Sequence, residues 1–322
     1  MSPSQRGVSD VPSLVGASSA TQNVGRILVV GAGTMGRGIA GLCALTGYDT
    51  WVFDADPDAQ RSVRPSIESS WSRAIEKGRL PAAAAESARH RLRIAERLKD
   101  AANVDFVIEA VPEALDLKRM VLSELDDLCP DRTVFGSNTS SLPITRIAHA
   151  TGRRDRVIGI HFFNPVAAMP LVEIVRGRET SPETEERAVA LARSLGKEVV
   201  RVVDSPGFAT SRLGVALGLE AMRMLEEGVA SAADIDRAME LGYGHRMGPL
   251  KTSDVVGLDV RLAIAETLSA ELPADRFGPP EILRALVAQG KTGKKSGEGF
   301  FKWEGDKTVG DGPLAARLAK KR

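Results

Sequence analysis

Of four histidines in the chain, His161 alone closes an apolar strand-like run, RVIGIHFF, and it is followed by Phe163, Asn164 and Pro165. His90 lies in a charged helical run, His149 at a polar helix end and His245 in a glycine-rich loop. Oxidising an alcohol by hydride removal requires a base for the hydroxyl proton, and imidazole titrates near neutral pH. Glu173 sits on the next apolar run, LVEIV, where it can face His161 across a short connection. A carboxylate on one ring nitrogen would fix the tautomer and stabilise the imidazolium as the proton arrives. An isolated histidine at a strand end has a structural role more often than a chemical one; Glu173 and the glycine loop described next reverse that balance.

Gly31, Gly33 and Gly36 form G-x-G-x-x-G directly after the apolar run RILVV and directly before RGIAGLCALTG. In that context the first glycine permits a tight turn, the second lets a pyrophosphate approach the backbone, and the third lets helix and strand pack closely. The amides of the helix start, including Thr34 and Met35, would face the phosphates. The competing reading is a turn without a ligand. Asp54 ends the next strand, YDTWVFD, 18 positions after Gly36, where a carboxylate can accept from both adenosine ribose hydroxyls. No Arg follows among Ala55, Asp56 and Pro57, so a 2′-phosphate would meet an uncompensated negative charge. NAD is therefore the expected cofactor rather than NADP.

The elements that must position these residues read as strand, glycine turn, helix and strand in alternation from Arg26, which implies a doubly wound, mainly parallel α/β sheet. Asp56-Pro57 opens a helix to about Lys77, and a second helix is expected from Pro81 to about Arg97. Strands are expected at VDFVIEAV, RTVFGSN, RVIGIHFF, LVEIV and KEVVRVV. The short loop before LVEIV favours antiparallel pairing with its neighbour. Ser181-Pro182 starts the helix between the last two strands. After Ser205-Pro206-Gly207 the pattern becomes helical, with Leu213, Leu217, Ala221 and Met224 as one apolar stripe and Ser231 with Asp234 as a capping pair. These signals predict a leader over residues 1–24, a Rossmann domain over 25–205, an all-α C-terminal domain over 206–304 and a tail over 305–322, with the basic end from Leu318 solvated.

Composition narrows the function classes. Hydrophobic residues make up 43% and charged residues 26% of 322 positions, and the formal net charge is +1. That balance gives no general electrostatic reason for a nucleic-acid or membrane partner. No apolar stretch reaches the roughly 18 to 20 residues of a membrane helix. Cys43 and Cys129 lack metal-ligand spacing and read as buried thiols, which makes a reducing, cytoplasmic setting the default.

In this order, GAGTMG, VIEAVPE, SNTSSL, HFFNP with LVEI, SPGF, MGP with VGLD, and GKKSGEGFF resemble the 3-hydroxyacyl-CoA dehydrogenase family from about Ile27 to Trp303, in its 3-hydroxybutyryl-CoA dehydrogenase-like form. The resemblance implies oxidation of a 3-hydroxyl with hydride passed to NAD, and a homodimer formed through the helical domain. It implies His161 as base, Glu173 as its partner, Ser140 near the reacting oxygen and Asn164 near nicotinamide and substrate. It further implies cofactor contacts by Glu113, Lys118, Asn138 and Lys295, and substrate contacts by Ser70 and Lys77 at the CoA end. Read from the residues alone, Ser137, Thr139, Ser140 and Ser141 are candidates to cap a helix near Pro143, and Glu113 and Lys118 are surface charges. Ser70, Arg73 and Lys77 lie on one helical face, equally a phosphate site or a solvated stripe.

One position departs from the family pattern. The family's PGF-x-x-N-R places an asparagine where this chain has Ser211, a shorter side chain with one donor in place of two. Two other functions fit the same residues. A hydroxyacyl group on acyl carrier protein needs only a different grip on phosphopantetheine, and a non-catalytic NAD-binding structural or redox-sensing protein needs only the glycine loop. A mere binder has no need of His161, Glu173, Ser140 and Asn164 together. No step requires a metal.

Overall fold

A computed structural model describes residues 25–272 and 275–319 of the chain, which divides between Asp204 and Ser205 into two units. The expected leader, residues 1–24, and the basic residues from Lys320 onward lie outside the described residues.

The first unit is built on β1 (Arg26–Val30), α1 (Thr34–Leu45), β2 (Asp49–Phe53), α2 (Pro57–Glu76), α3 (Ala82–Arg91), β3 (Leu92–Ile94), β4 (Phe106–Glu109), α4 (Leu115–Leu128), β5 (Val134–Ser137), α5 (Ile144–Ala148), β6 (Val157–Phe162), β7 (Leu171–Arg176), α6 (Pro182–Ser194) and β8 (Glu198–Val203). The strands form one sheet in the order β3-β2-β1-β4-β5-β6-β7-β8. All neighbours are parallel except β6 and β7, which run antiparallel as their short connection predicts. Helices cover the sheet, so its central strands are apolar runs rather than alternating ones; Ile27, Leu28 and Val29 are fully buried.

Local capping follows the sequence at several helices. Asp56 accepts from the Asp58 amide at α2, and Ser181 from the Thr184 amide at α6. Two expectations are corrected. The helix expected to reach Arg97 stops at Arg91, because Leu92–Ile94 pair with Thr50–Val52 as an edge strand; tertiary pairing outweighs the helix preference of an Ala/Glu/Arg-rich run. The serines before Pro143 do not cap α5. Asp204 does so from the end of β8, accepting from the Ile144 and Thr145 amides at 3.1 and 2.8 Å.

The second unit comprises α7 (Thr210–Glu226), α8 (Ala232–Gly242), α9 (Pro249–Val256), α10 (Leu258–Glu271), α11 (Glu281–Ala288), β9 (Phe301–Glu304), β10 (Lys307–Asp311) and α12 (Pro313–Ala319). Among the described residues its regular elements are helical apart from the antiparallel pair β9–β10. Residues 305–319 of the stretch expected as a tail instead fold onto the unit: β10 returns along β9 after the turn at Gly305, and Ala315 is buried in the unit's core. Ser231 caps α8 through the Asp234 amide. On α7 the buried stripe is Val215, Leu219, Met222 and Leu225, whereas Leu213 is 71% exposed. The helix is apolar around much of its circumference, so its 3.6-residue period admits more than one stripe. Asp254 is fully buried and ties α9 to the hairpin, accepting from the Phe300 and Phe301 amides and Trp303 Nε1 at 2.9 to 3.0 Å.

Candidate active site

The carboxyl ends of β1, β2, β4, β5 and β6 point the same way, and the strand order reverses at β1 and β4, the place where doubly wound sheets bind ligands. Every first-unit residue singled out from the sequence at a strand end lies along this edge.

At β1 the three glycines have distinct constraints. Gly31 has a φ of 102°, and a Cβ there would meet the Ala110 carbonyl oxygen at 2.6 Å. A Cβ on Gly36 would lie 1.8 Å from the Gly31 carbonyl oxygen, so only glycine lets α1 approach β1 this closely. Gly33 has ordinary backbone angles and open space where a side chain would stand. It is the N-cap of α1 without a side-chain cap, and the first intrahelical bond runs from the Arg37 amide to the Gly33 carbonyl at 3.0 Å. The Thr34, Met35 and Gly36 amides at this helix start are suited to a phosphate. Asp54, just beyond β2, accepts from the Ala32 amide at 2.6 Å and from the Asp56 amide at 2.9 Å. Its carboxylate therefore stands against the glycine loop. An uncapped helix start, open space at Gly33 and an acidic group beside the loop together fit a dinucleotide with free ribose hydroxyls.

Farther along the edge, His161 and Glu173 are register partners on β6 and β7. His161 Nδ1 lies 2.8 Å from Glu173 Oε2, and Glu173 is fully buried. A neutral imidazole that donates Nδ1–H to this carboxylate has its lone pair on Nε2. The Phe163 ring lies 4.4 Å from the imidazole, centroid to centroid. The loop that follows carries Asn164, which is exposed. Lys197 holds that loop, its buried ammonium donating to the Val166 and Met169 carbonyls at 2.5 and 2.8 Å. Desolvation pushes the Lys197 pKa down. Nothing in its sequence context, LGKEVV, marks it as an anchor. A Cβ on Gly38 would lie 2.9 Å from Val166 Cγ2, so α1 packs directly on the same loop.

Between the glycine turn and the histidine stands a buried ionic cluster. Lys118 is 1% exposed and donates to Glu109 Oε1 at 2.8 Å and to the Val111 carbonyl at 3.2 Å; Glu113 Oε2 lies 3.4 Å away. Its expected place among surface charges is thereby corrected. The first turn of α4 points inward over the end of β4, where Glu109 waits. Glu109 also accepts from the Val111 amide at 2.7 Å and from Ser137 Oγ at 2.5 Å. Glu113 Oε1 gathers the serine loop, accepting from Thr139 Oγ1 at 2.6 Å and from the Ser140 and Ser141 amides at 2.9 and 3.1 Å; Ser140 Oγ lies 3.1 Å away. Burial works to raise the Glu113 pKa, but the Lys118 ammonium and these hydrogen bonds hold it below the usual carboxylate range. Asn138 accepts from the Phe162 amide at 2.9 Å, tying the end of β5 to the end of β6.

Ser70, Arg73 and Lys77 are exposed on α2, with Lys77 its C-cap; Arg73 donates to Ser69 Oγ at 2.9 Å. In the second unit, Ser211 lies half-buried in the first turn of α7. Lys295 Nζ lies 2.7 Å from Asp259 on α10. Sequence reasoning missed Glu109 and Lys197, which look like an ordinary strand end and an ordinary surface lysine until the sheet is assembled.

Comparison with known proteins gives concordant results. Residues 26–205 match the model of the 3-hydroxyacyl-CoA dehydrogenase NAD binding domain, and residues 207–303 that of the C-terminal domain of the same family. The chain is 42% identical over 279 residues, 87% of its own length and 97% of the relative's, to a probable 3-hydroxybutyryl-CoA dehydrogenase of Bacillus subtilis. It is 40% identical over 301 residues to the human mitochondrial hydroxyacyl-coenzyme A dehydrogenase, covering 91% of this chain and 95% of the relative. Among solved structures, the (S)-3-hydroxybutyryl-CoA dehydrogenase of Ralstonia eutropha superposes with a TM-score of 0.85 at 39% identity, over 88% of this chain and 100% of that one.

Proposed function

The chain belongs to the 3-hydroxyacyl-CoA dehydrogenase family, and from that premise we propose that it interconverts a short-chain 3-hydroxyacyl-CoA and its 3-oxoacyl-CoA with His161 as the proton-transfer group. NAD, when bound, accepts the hydride leaving C3 in the oxidative direction. The observation that carries this reading is the buried contact of 2.8 Å between His161 Nδ1 and Glu173 Oε2. Glu173 orients the ring so that Nε2 can take the 3-hydroxyl proton, and its charge stabilises the imidazolium that results. Ser140 bonds the same substrate oxygen by turning its hydroxyl from Glu113, while its backbone amide remains with that carboxylate. Asn164, on the loop held by Lys197, orients the reactants.

Gly31 to Gly36 receive the pyrophosphate, and Asp54 receives the ribose hydroxyls. Ser70 and Lys77 meet the CoA end, where an exposed basic face suits phosphates. For the second unit, the family resemblance alone assigns Lys295 to the cofactor and Ser211 to the thioester end. Acetoacetyl-CoA and 3-hydroxybutyryl-CoA are the substrates favoured by the relatives' names. The exposed apolar side chains Leu213, Leu241 and Tyr243 support a homodimer formed through the second unit, and the two buried free thiols fit a reducing, cytoplasmic setting.

The test is NADH oxidation with acetoacetyl-CoA by the parent and by His161→Gln. Loss of turnover with retained NADH binding is expected. Turnover at the parent rate would remove His161 from the chemistry.

A further inference from the structure

The ionic cluster beneath the serine loop carries an unbalanced charge. Two carboxylates, Glu109 and Glu113, share one ammonium, Lys118, at 2.8 and 3.4 Å, leaving one formal negative charge. Its position follows from the strand register. Glu109 on β4 pairs with Ser137 on β5, Ser137 with Gly159 on β6, and Gly159 with Val175 on β7. Side chains in register share a sheet face, as do residues two apart on one strand. Glu109, Ser137, His161 and Glu173 therefore emerge on the same face at the same edge. The glycine turn is equally close, since the Gly31 position abuts the Ala110 carbonyl and the Val111 amide, and that amide donates to Glu109. A dinucleotide that lays its adenosine ribose on Asp54 and its pyrophosphate on α1 must extend its other half past the switch point, over the ends of β4 and β5.

The ring at that end changes charge in the reaction: it is cationic in the oxidised cofactor and neutral in the reduced one. Every other charge of the two cofactors is the same. We propose that Glu109 and Glu113 act as a charge-selecting pair, adding affinity for the oxidised cofactor that the reduced one does not gain, through the net negative charge they leave beside the nicotinamide. Lys118, between the two carboxylates at 2.8 and 3.4 Å, offsets their mutual repulsion. Because the pair stabilises the oxidised form, it shifts the equilibrium between bound species toward the hydroxyacyl product and so favours ketone reduction on the enzyme. Glu109 is thus a positioning and electrostatic residue that need not touch the cofactor. This inference rests on the cofactor lying as the preceding section reads it.

Calorimetric titration of the full chain with NAD+ and, separately, NADH tests it without any turnover. Glu109→Gln retains the shape and removes one charge; about a fivefold or larger weakening of NAD+ is expected, with NADH changed less than twofold, as for a charge–charge interaction at intermediate dielectric. Glu113→Gln, whose side chain is 37% exposed and keeps an acceptor for the serine loop, should act in the same direction and serves if Glu109→Gln does not fold. Ser137→Ala removes a hydrogen bond and no charge, and its NAD+/NADH affinity ratio should stay within twofold of the parent's. Equal weakening of both cofactors by the two glutamine variants, or no change in either, would overturn the proposal while leaving the cofactor site in place. A parent chain that binds neither cofactor would overturn the site itself.

Discussion

At the scale of single residues, the proposed chemistry depends on a base whose tautomer is fixed from behind. Glu173 is fully buried, so its charge acts in a low-dielectric setting and its loss cannot be replaced by water. Glu173→Gln should therefore lower kcat for acetoacetyl-CoA reduction by roughly 10²-fold or more, with His161→Gln at least as severe, since general acid–base catalysis contributes about 10² to 10⁴. Stopped-flow turnover with NADH would measure both, and a Glu173→Gln enzyme within threefold of the parent would remove its role. Asp54 has two tasks to separate, because its carboxylate receives the Ala32 and Asp56 amides as well as the proposed ribose hydroxyls. Asp54→Ala should raise the KM for NAD at least tenfold, the loss expected when charge-assisted hydrogen bonds go, with turnover retained at saturation. An unchanged KM would refute the ribose role.

At the scale of elements, the turn between β1 and α1 shows how one residue type meets three different demands. Gly36→Ala places a Cβ 1.8 Å from the Gly31 carbonyl oxygen, forcing α1 off the sheet at a cost of about 3 kcal/mol or more. Gly33→Ala meets no atom within 4 Å and adopts an ordinary φ of −68°. The expected results are a lowered Tm for Gly36→Ala, and an unaltered Tm with weakened NAD binding for Gly33→Ala, because its methyl occupies space that a phosphate needs. Thermal denaturation beside NADH titration distinguishes them; a Gly33→Ala protein that binds NADH as the parent does would move the pyrophosphate elsewhere. The loop after β6 depends similarly on one distant side chain, the Lys197 ammonium at the start of β8.

At the scale of the whole molecule, two units each have a separate core, and the second contains a tie whose strength depends on pH. Burial pushes Asp254 up to about 6, against the hydrogen bonds from Trp303, Phe300 and Phe301 that favour its charged form. A carboxyl group whose folded pKa exceeds its unfolded value binds its proton more tightly in the folded state. Its contribution to stability therefore grows as pH falls through about 6 toward the ordinary carboxylate range. On going from pH 7.5 to 5.5 the parent should gain more in Tm for the second unit than Asp254→Asn does, whatever the variant's Tm at one pH. Parallel Tm profiles, followed by calorimetry, would count against a perturbed Asp254. The catalysed equilibrium has its own pH dependence: oxidation releases a proton, so alkaline conditions favour the ketone.

Much of this was legible in the amino-acid sequence because it is encoded within a few neighbouring positions. A glycine turn between an apolar strand and a helix, an acidic residue one strand on, helix caps at Asp56, Ser181 and Ser231, and a histidine with a carboxylate across a short antiparallel connection are all local patterns. Local patterns also mislead: Leu92–Ile94 belong to a helical run by composition and to an edge strand by pairing, and Leu213 fits an apolar stripe yet faces outward in this chain. Only the tertiary structure decided that Lys118 is buried between Glu109 and Glu113, that Asp204 rather than a serine caps α5, and that Lys197 holds the loop carrying Asn164. In each case the partners lie on different elements, and a charge reads as surface or core only once the strand order has determined which side chains share a face and which water can reach.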